Sequence, residues 1–106
     1  MAENYALTEA VYYILLGLNK PLHGYGIMQF AEEMSQGRVR LAPGTLYGAL
    51  SSLCSKGWIR ELPVEAGSRK KEYEITTAGR EVLEAELGRL KQLVSCGEKV
   101  LGGDKA

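Results

Sequence analysis

Three stretches of apolar residues at helical spacing, two strand-like segments around a basic connection, and a last helix with a heptad seam predict a mainly α, α+β fold. In order they read helix, helix, short strand, helix, hairpin, long helix. That is the succession of a winged helix-turn-helix with a two-stranded wing and a long C-terminal dimerisation helix. A chain of 106 residues has room for one such unit, with residues 1–76 forming the winged helix-turn-helix and 77–106 the final helix and a short tail.

Thr8 precedes EAVYYILLGLN as an N-cap, Glu9 sits at the positive helix end, and Leu7, Val11, Ile14, Leu15 and Leu18 share a face. Lys20-Pro21 ends this helix. A second helix is expected from His23-Gly24-Tyr25 through Ile27, Met28, Phe30, Ala31 and Met34 to a stop at Gly37. In RVRL, Val39 and Leu41 alternate with Arg38 and Arg40, the pattern of a short half-buried strand. The third helix takes Pro43 in its first turn and buries Leu46, Leu50 and Leu53, with Cys54 beside them, before Lys56-Gly57 stops it. WIRELPV and KKEYEIT then flank a polar connection, Glu65 to Lys70, as a hairpin with a basic tip. Thr76 or Thr77 caps the last helix, which extends to about Leu101 with Leu83, Leu87, Leu90, Val94 and Leu101 on its seam and Gly97 at the weak position. Val82, Leu93 and Val100 lie beside that seam, so one side can pack on its own domain and the other on a second copy of the chain.

Thirteen basic residues balance thirteen acidic ones, but seven Lys or Arg against two Glu fall between residues 37 and 71. A local excess of this kind suits a polyanion. No apolar run is long enough to span a bilayer and MAENYALTEA lacks the pattern of a signal peptide, so a cytoplasmic protein without membrane contact is expected. Cys54 and Cys96 share no metal-ligand spacing and His23 is the only histidine, which argues against a zinc site. The thiols read either as small buried or half-buried hydrophobes or as a redox-sensing pair. Without paired carboxylates, a nucleophile with its base, or a phosphate loop, neither enzyme activity nor a cofactor is expected.

The stretch APGTLYGAL at 42–50 opens the third helix with residues that helix stability alone would not choose. Gly44 removes bulk at the N-terminal turn, Thr45 offers a hydroxyl and a methyl, and Tyr47 a phenol able to reach a phosphate or a base edge. Gly48 keeps the exposed face flat at a cost of about 1 kcal/mol relative to alanine. Ser51, Ser52 and Lys56 extend this polar face. With Arg69 and Lys70 at the hairpin tip and Arg40 on the short strand, these residues form a candidate surface for double-stranded DNA, the wing adding sequence-independent affinity. His23 and Tyr25 open the second helix either as cap and core-edge residues or as phosphate contacts. Tyr5, Tyr12 and Tyr13, on or before the first helix, read as core and interface residues or as the lining of a pocket for a flat, small hydrophobic or aromatic effector. A winged helix that uses the same surface for protein contacts is the alternative to operator binding.

PLHGYGI at 21–27, LAPGTLYGALSSLCSKGWI at 41–59 and SRKKEYEITTAGREVL at 68–83 together resemble the PadR-like transcriptional regulators, in particular their short members with a single C-terminal helix. The GTLY segment followed by a Lys/Arg-rich wing ending in Tyr-x-Ile-Thr-x-x-Gly is a specific combination, and the resemblance covers nearly the whole chain. It implies a homodimeric, DNA-binding winged helix-turn-helix, usually a repressor, whose last helix forms the dimer interface. By position it puts Gly44, Thr45 and Tyr47 on the recognition helix, Arg69 and Lys70 on the wing, and His23 and Tyr25 at the start of the supporting helix. The expected operator is an inverted repeat met by two symmetric recognition helices, with release on binding an effector. Gly26 stands where the family commonly has an acidic residue, and Gly48 where it often has proline. The last helix carries no aromatic residue, unlike members that hold aromatic drugs between subunits with a tryptophan there.

Overall fold

The computed structural model describes residues 6–64, 67 and 70–102. Helix α1 (Glu9–Gly17) starts at Thr8, whose hydroxyl oxygen accepts the Val11 N–H at 3.1 Å. Ile14, Leu15 and Leu18 are wholly buried, with Leu7 and Val11 packed half-buried beside them. Strand β1 (Leu22–His23) follows, and His23 caps α2 (Gly24–Met34) by accepting the Gly26 N–H on Nδ1 at 3.2 Å. Ile27 and Ala31 of α2 join the core, whereas Met34, expected on the same face, is exposed at the last turn. Helix α3 (Pro43–Ser55) has proline in its first turn, as predicted, and buries Leu46, Leu50 and Leu53. Its C-terminal end is a Schellman motif. The Trp58 N–H donates to the Leu53 carbonyl at 3.1 Å and the Gly57 N–H to the Cys54 carbonyl at 3.0 Å, which requires the positive φ of 77° that glycine supplies at 57.

Strands β2 (Ile59–Glu61) and β3 (Glu72–Ile75) pair antiparallel, with Ile59 opposite Ile75 and Arg60 opposite Glu74. The remaining strand is not the one the RVRL alternation predicts. β1 occupies that role, lying on the other side of β3 with Leu22 opposite Tyr73, so the sheet order is β1-β3-β2. Residues 38–41 do alternate in burial, Val39 and Leu41 half-buried between exposed Arg38 and Arg40, yet they form no strand. Ser35 takes their backbone instead: its hydroxyl oxygen accepts the Val39 N–H at 2.8 Å and its carbonyl accepts the Arg38 N–H at 3.2 Å. Period-two burial belongs to any extended segment laid on a core, and supplies no partner strand by itself.

The sheet feeds directly into α4 (Thr77–Gly97), which continues through a wider π-type turn at Glu98–Gly102. The Ile75 N–H donates to the Leu18 carbonyl at 2.9 Å and the Thr76 N–H to the Trp58 carbonyl at 3.0 Å. The Thr76 hydroxyl donates to the Gly57 carbonyl at 2.6 Å and accepts the Gly79 N–H at 3.1 Å, which caps α4. Arg80 adds a side-chain bond to Asn19. The ends of α1, α3 and β3 are thus tied to the first turn of α4. Beyond this anchor the helix leaves the domain: Leu83 still packs on the core and Leu90 is half-buried, but every residue from Lys91 to Gly102 is exposed. The overhang accounts for the elongated 60 × 35 × 20 Å extents. No helix among the described residues is long and apolar enough to cross a membrane.

Candidate nucleic-acid interface

With Leu46, Leu50 and Leu53 inside, α3 presents Gly44, Thr45, Tyr47, Gly48, Ser51 and Ser52 to solvent. A Cβ at Gly44 or Gly48 would meet nothing within 4 Å. Packing among the described residues therefore requires neither glycine, and the propensity cost of about 1 kcal/mol at Gly48 has no compensating contact among them. What the pair does provide is a flat outer surface at the start of the helix.

Tyr47 leans from α3 onto α2. Gly24 is buried where the phenol lies: a Cβ there would sit 2.8 Å from Tyr47 Cζ and closer still to its hydroxyl oxygen. Glycine at 24 is what lets the ring rest against the first turn of α2. Tyr47, His23, Gly24, Tyr25, Lys70, Lys71 and Tyr73 line one open cleft of about 320 Å³. Four residues that the sequence marks separately, His23, Tyr25, Tyr47 and Lys70, are thereby brought together. Tyr73 is nearly buried, and burial pushes its phenol above the ordinary range, so it remains a protonated donor at neutral pH. Lys71 reaches Glu61 at 3.5 Å, and Arg60 pairs with Glu74 across the strands. Lysines, phenols and the positive end of α2 converging on one concavity suit an anion.

Other predicted residues lie elsewhere. Gly44, Thr45 and Ser51 are exposed on α3 outside the cleft. Arg40 Nε is 3.4 Å from Glu32 at the far end of α2, and Arg38 pairs with Glu9 of α1. Lys56 turns away from Tyr47: its Nζ sits 5.0 Å from the Trp58 ring centroid, in a second cleft shared with Ser52 and the start of α1. Arg69 and Tyr5 lie outside the described residues.

A third cleft, of about 410 Å³, opens between α1 and α4 and is lined by Leu7, Glu9, Tyr12, Tyr13, Glu86, Arg89 and Leu90. Tyr12 and Tyr13 meet edge to face there with centroids 6.2 Å apart. The sequence reading misses the polar end of this cleft. Glu86, only 2% exposed, accepts the Leu7 N–H at 3.1 Å and two Arg89 donors at 2.7 Å. The Arg89 bonds, above all, hold its carboxyl below the usual carboxylate range. Its spacing carries a signal, since Glu86 falls between Leu83 and Leu90 on the buried side of α4 with an arginine three residues on.

Because the folded value is depressed, the stabilisation from Glu86 is complete above the unfolded carboxyl value of about 4.3 and fades as pH falls through the folded one. Glu86→Gln is expected to lower stability by about 2 kcal/mol at neutral pH. Urea denaturation of the two proteins should converge toward acid; a gap that stayed constant to about pH 2 would assign the effect to packing rather than charge.

Of the residues expected at a dimer seam, Leu83 packs on its own core and Leu90 lines the third cleft. Leu87, Val94 and Leu101 are 42%, 58% and 88% exposed, joined by exposed Leu93 and Val100. Cys54 is half-buried against the core, and burial raises its thiol above the ordinary range, whereas Cys96 is exposed on the overhang. Among the described residues no three His, Cys, Asp or Glu side chains gather as metal ligands do.

Residues 13–85, from within α1 to within α4, match the family model for the transcriptional regulator PadR-like family. An uncharacterized 37.1 kDa protein of transposon TN4556 from Streptomyces fradiae is 44% identical over 73 residues, which are 69% of this chain and 20% of that protein. The chain thus spans about a fifth of that relative's length. Among solved structures, a PadR family transcriptional regulator from Eggerthella lenta is 25% identical with a TM-score of 0.71 over 86% of this chain and 80% of its own. Bacillus subtilis PadR in complex with operator DNA is 27% identical with a TM-score of 0.60, covering 73% of this chain and 46% of that one. A transcriptional regulator from Clostridium thermocellum shares the fold at 20% identity, with a TM-score of 0.69 over 88% of both chains. Through a family match that takes in the α2 cap, the GTLY helix, the wing strands and the start of α4, this chain belongs to the PadR-like family of transcriptional regulators.

Proposed function

We propose that the chain is a homodimeric DNA-binding repressor that acts in the cytoplasm on an inverted-repeat operator. The observation that carries this reading is the convergence of His23, Tyr25, Tyr47 and Lys70 beside the exposed half of α3. The N-terminal turn of α3 enters the major groove, where Gly44 and Gly48 let the backbone approach and Thr45, Tyr47 and Ser51 reach base edges or phosphates. The cleft at the start of α2 receives a backbone phosphate, and Lys70 and Arg69 follow the flanking backbone. Arg40 and Lys56, each engaged within the chain, add to the basic field rather than to the cleft. The structure of Bacillus subtilis PadR with operator DNA supports giving the fold this chemistry.

The apolar overhang of α4 supports a second copy as partner, and a two-fold axis there sets the recognition helices about 34 Å apart, roughly 10 base pairs. The cleft between α1 and α4 touches both the DNA-binding unit and the helix that joins the copies. A small hydrophobic or aromatic effector seated against Tyr12 and Tyr13 would therefore bear on the spacing of the two halves. The test is a gel shift with the DNA upstream of the protein's own gene. Affinity should fall about 10³- to 10⁵-fold between about 50 and 200 mM salt, and Tyr47→Ala with Lys70→Ala should weaken binding at least about tenfold. No shift at low salt, or an unaltered double variant, overturns the assignment.

A further inference from the structure

Helix α3 contains no Arg, Lys, Asn, Gln, Asp or Glu anywhere from Pro43 to Ser55. Those are the side chains that read base edges specifically: Arg or Lys on guanine, Asn or Gln on adenine, Glu or Asp on cytosine. The polar groups α3 exposes are all hydroxyls, on Thr45, Tyr47, Ser51, Ser52 and Ser55. Among the described residues, neighbouring charged side chains do not make up the deficit: Lys56 lies over the Trp58 ring, Arg40 is joined to Glu32 and Lys71 to Glu61, and Lys70 lines the cleft at the start of α2 that is assigned to a backbone phosphate.

Resting on the DNA-binding reading above, we infer that this regulator reads its major-groove half-site without bidentate purine contacts, through thymine methyls and single hydroxyl bonds, with the remaining selectivity set by DNA shape. A hydroxyl both donates and accepts, so it can meet any base and discriminates little between them. The Thr45 methyl, exposed in the first turn, is the apolar group that matches the thymine 5-methyl. The open space at Gly44 and Gly48 lets the helix sit deep, which makes binding depend on groove width and bendability. Both vary with A-tracts and pyrimidine–purine steps rather than with individual base edges.

The experiment uses the full chain to select a duplex from a random-sequence pool, then remakes that duplex with 7-deazapurines, which lack the N7 acceptor, or with uracil for thymine, which removes the 5-methyl. The 7-deazapurine duplexes should bind within about threefold of the parent, because no bidentate contact uses N7. Uracil replacement should cost about tenfold across the half-site. Single base-pair changes should cost less than about fivefold, where loss of a bidentate pair costs up to about 150-fold. A loss of tens of fold from any one 7-deazapurine, or no loss with uracil, overturns the inference while DNA binding itself stands. If no duplex is retained at low salt, the DNA-binding reading fails and the inference falls with it.

Discussion

Gly79→Ala is expected to destabilise the protein by about 3 kcal/mol or more, and to lower its melting temperature by more than about 10 °C. A Cβ at position 79 would lie 2.8 Å from the Trp58 carbonyl carbon, nearer still to its oxygen, and 2.9 Å from Ile75 Cγ1. The obstructing atoms are mainly backbone, so no side chain can swing aside. That same carbonyl accepts the Thr76 N–H, and Trp58 closes the Schellman end of α3. Making room means lifting the first turn of α4 away from α3, which breaks the Thr76 cap, or moving the end of α3, which disturbs Leu53 in the core. Against a total stability of about 5–15 kcal/mol, either response is severe. Gly88→Ala is the control: a Cβ there meets nothing within 4 Å, so that variant should melt at or above the parent temperature. Circular dichroism melts of both decide the matter, and a Gly79→Ala protein melting within a few degrees of the parent would refute the close approach.

Gly79 also illustrates what a sequence can and cannot convey. Thr-x-x-Gly is visible as a motif, and the cap at Thr76 follows from local rules, as do those at Thr8 and His23 and the proline start of α3. These features depend on residues within one turn of each other. The need for glycine at 79 depends on a carbonyl from a segment distant in the chain, which no local pattern reports. Strand β1 escaped notice for a related reason: two residues after a proline show no alternation, and they are a strand only because β3 is there to pair with them. RVRL erred the other way, with the right burial period and no partner. In the candidate site, the exposure of Thr45 and Tyr47 and the burial of the leucines opposite were legible from helical spacing. The contact between Tyr47 and Gly24 was not, nor was the diversion of Lys56 onto Trp58, because both are settled by tertiary neighbours.

Leu87→Glu combined with Val94→Glu is expected to give a folded monomer with weakened operator binding. Neither residue belongs to the core cluster, and both are substantially exposed in the single chain, so the domain itself should melt cooperatively. Leu83→Glu, by contrast, should compromise folding, because Leu83 packs on that core. The segment from Lys91 to Gly102 continues α4 without burying any residue on its own domain, so its exposed apolar side is suited to a partner surface. If that surface is the same helix of a second copy, two-fold symmetry places every introduced carboxylate in the interface twice. At about 3 kcal/mol for each uncompensated buried charge, dimer affinity falls by about 10⁴-fold or more. Light scattering should then give a mass near 11.6 kDa rather than twice that value. Operator affinity should drop with it, by about 10²- to 10⁴-fold, since the second half-site no longer benefits from tethering to the first. A double variant that remained dimeric would place the interface elsewhere. A monomer that kept full operator affinity would separate dimerisation from DNA recognition and remove the reason for an inverted repeat.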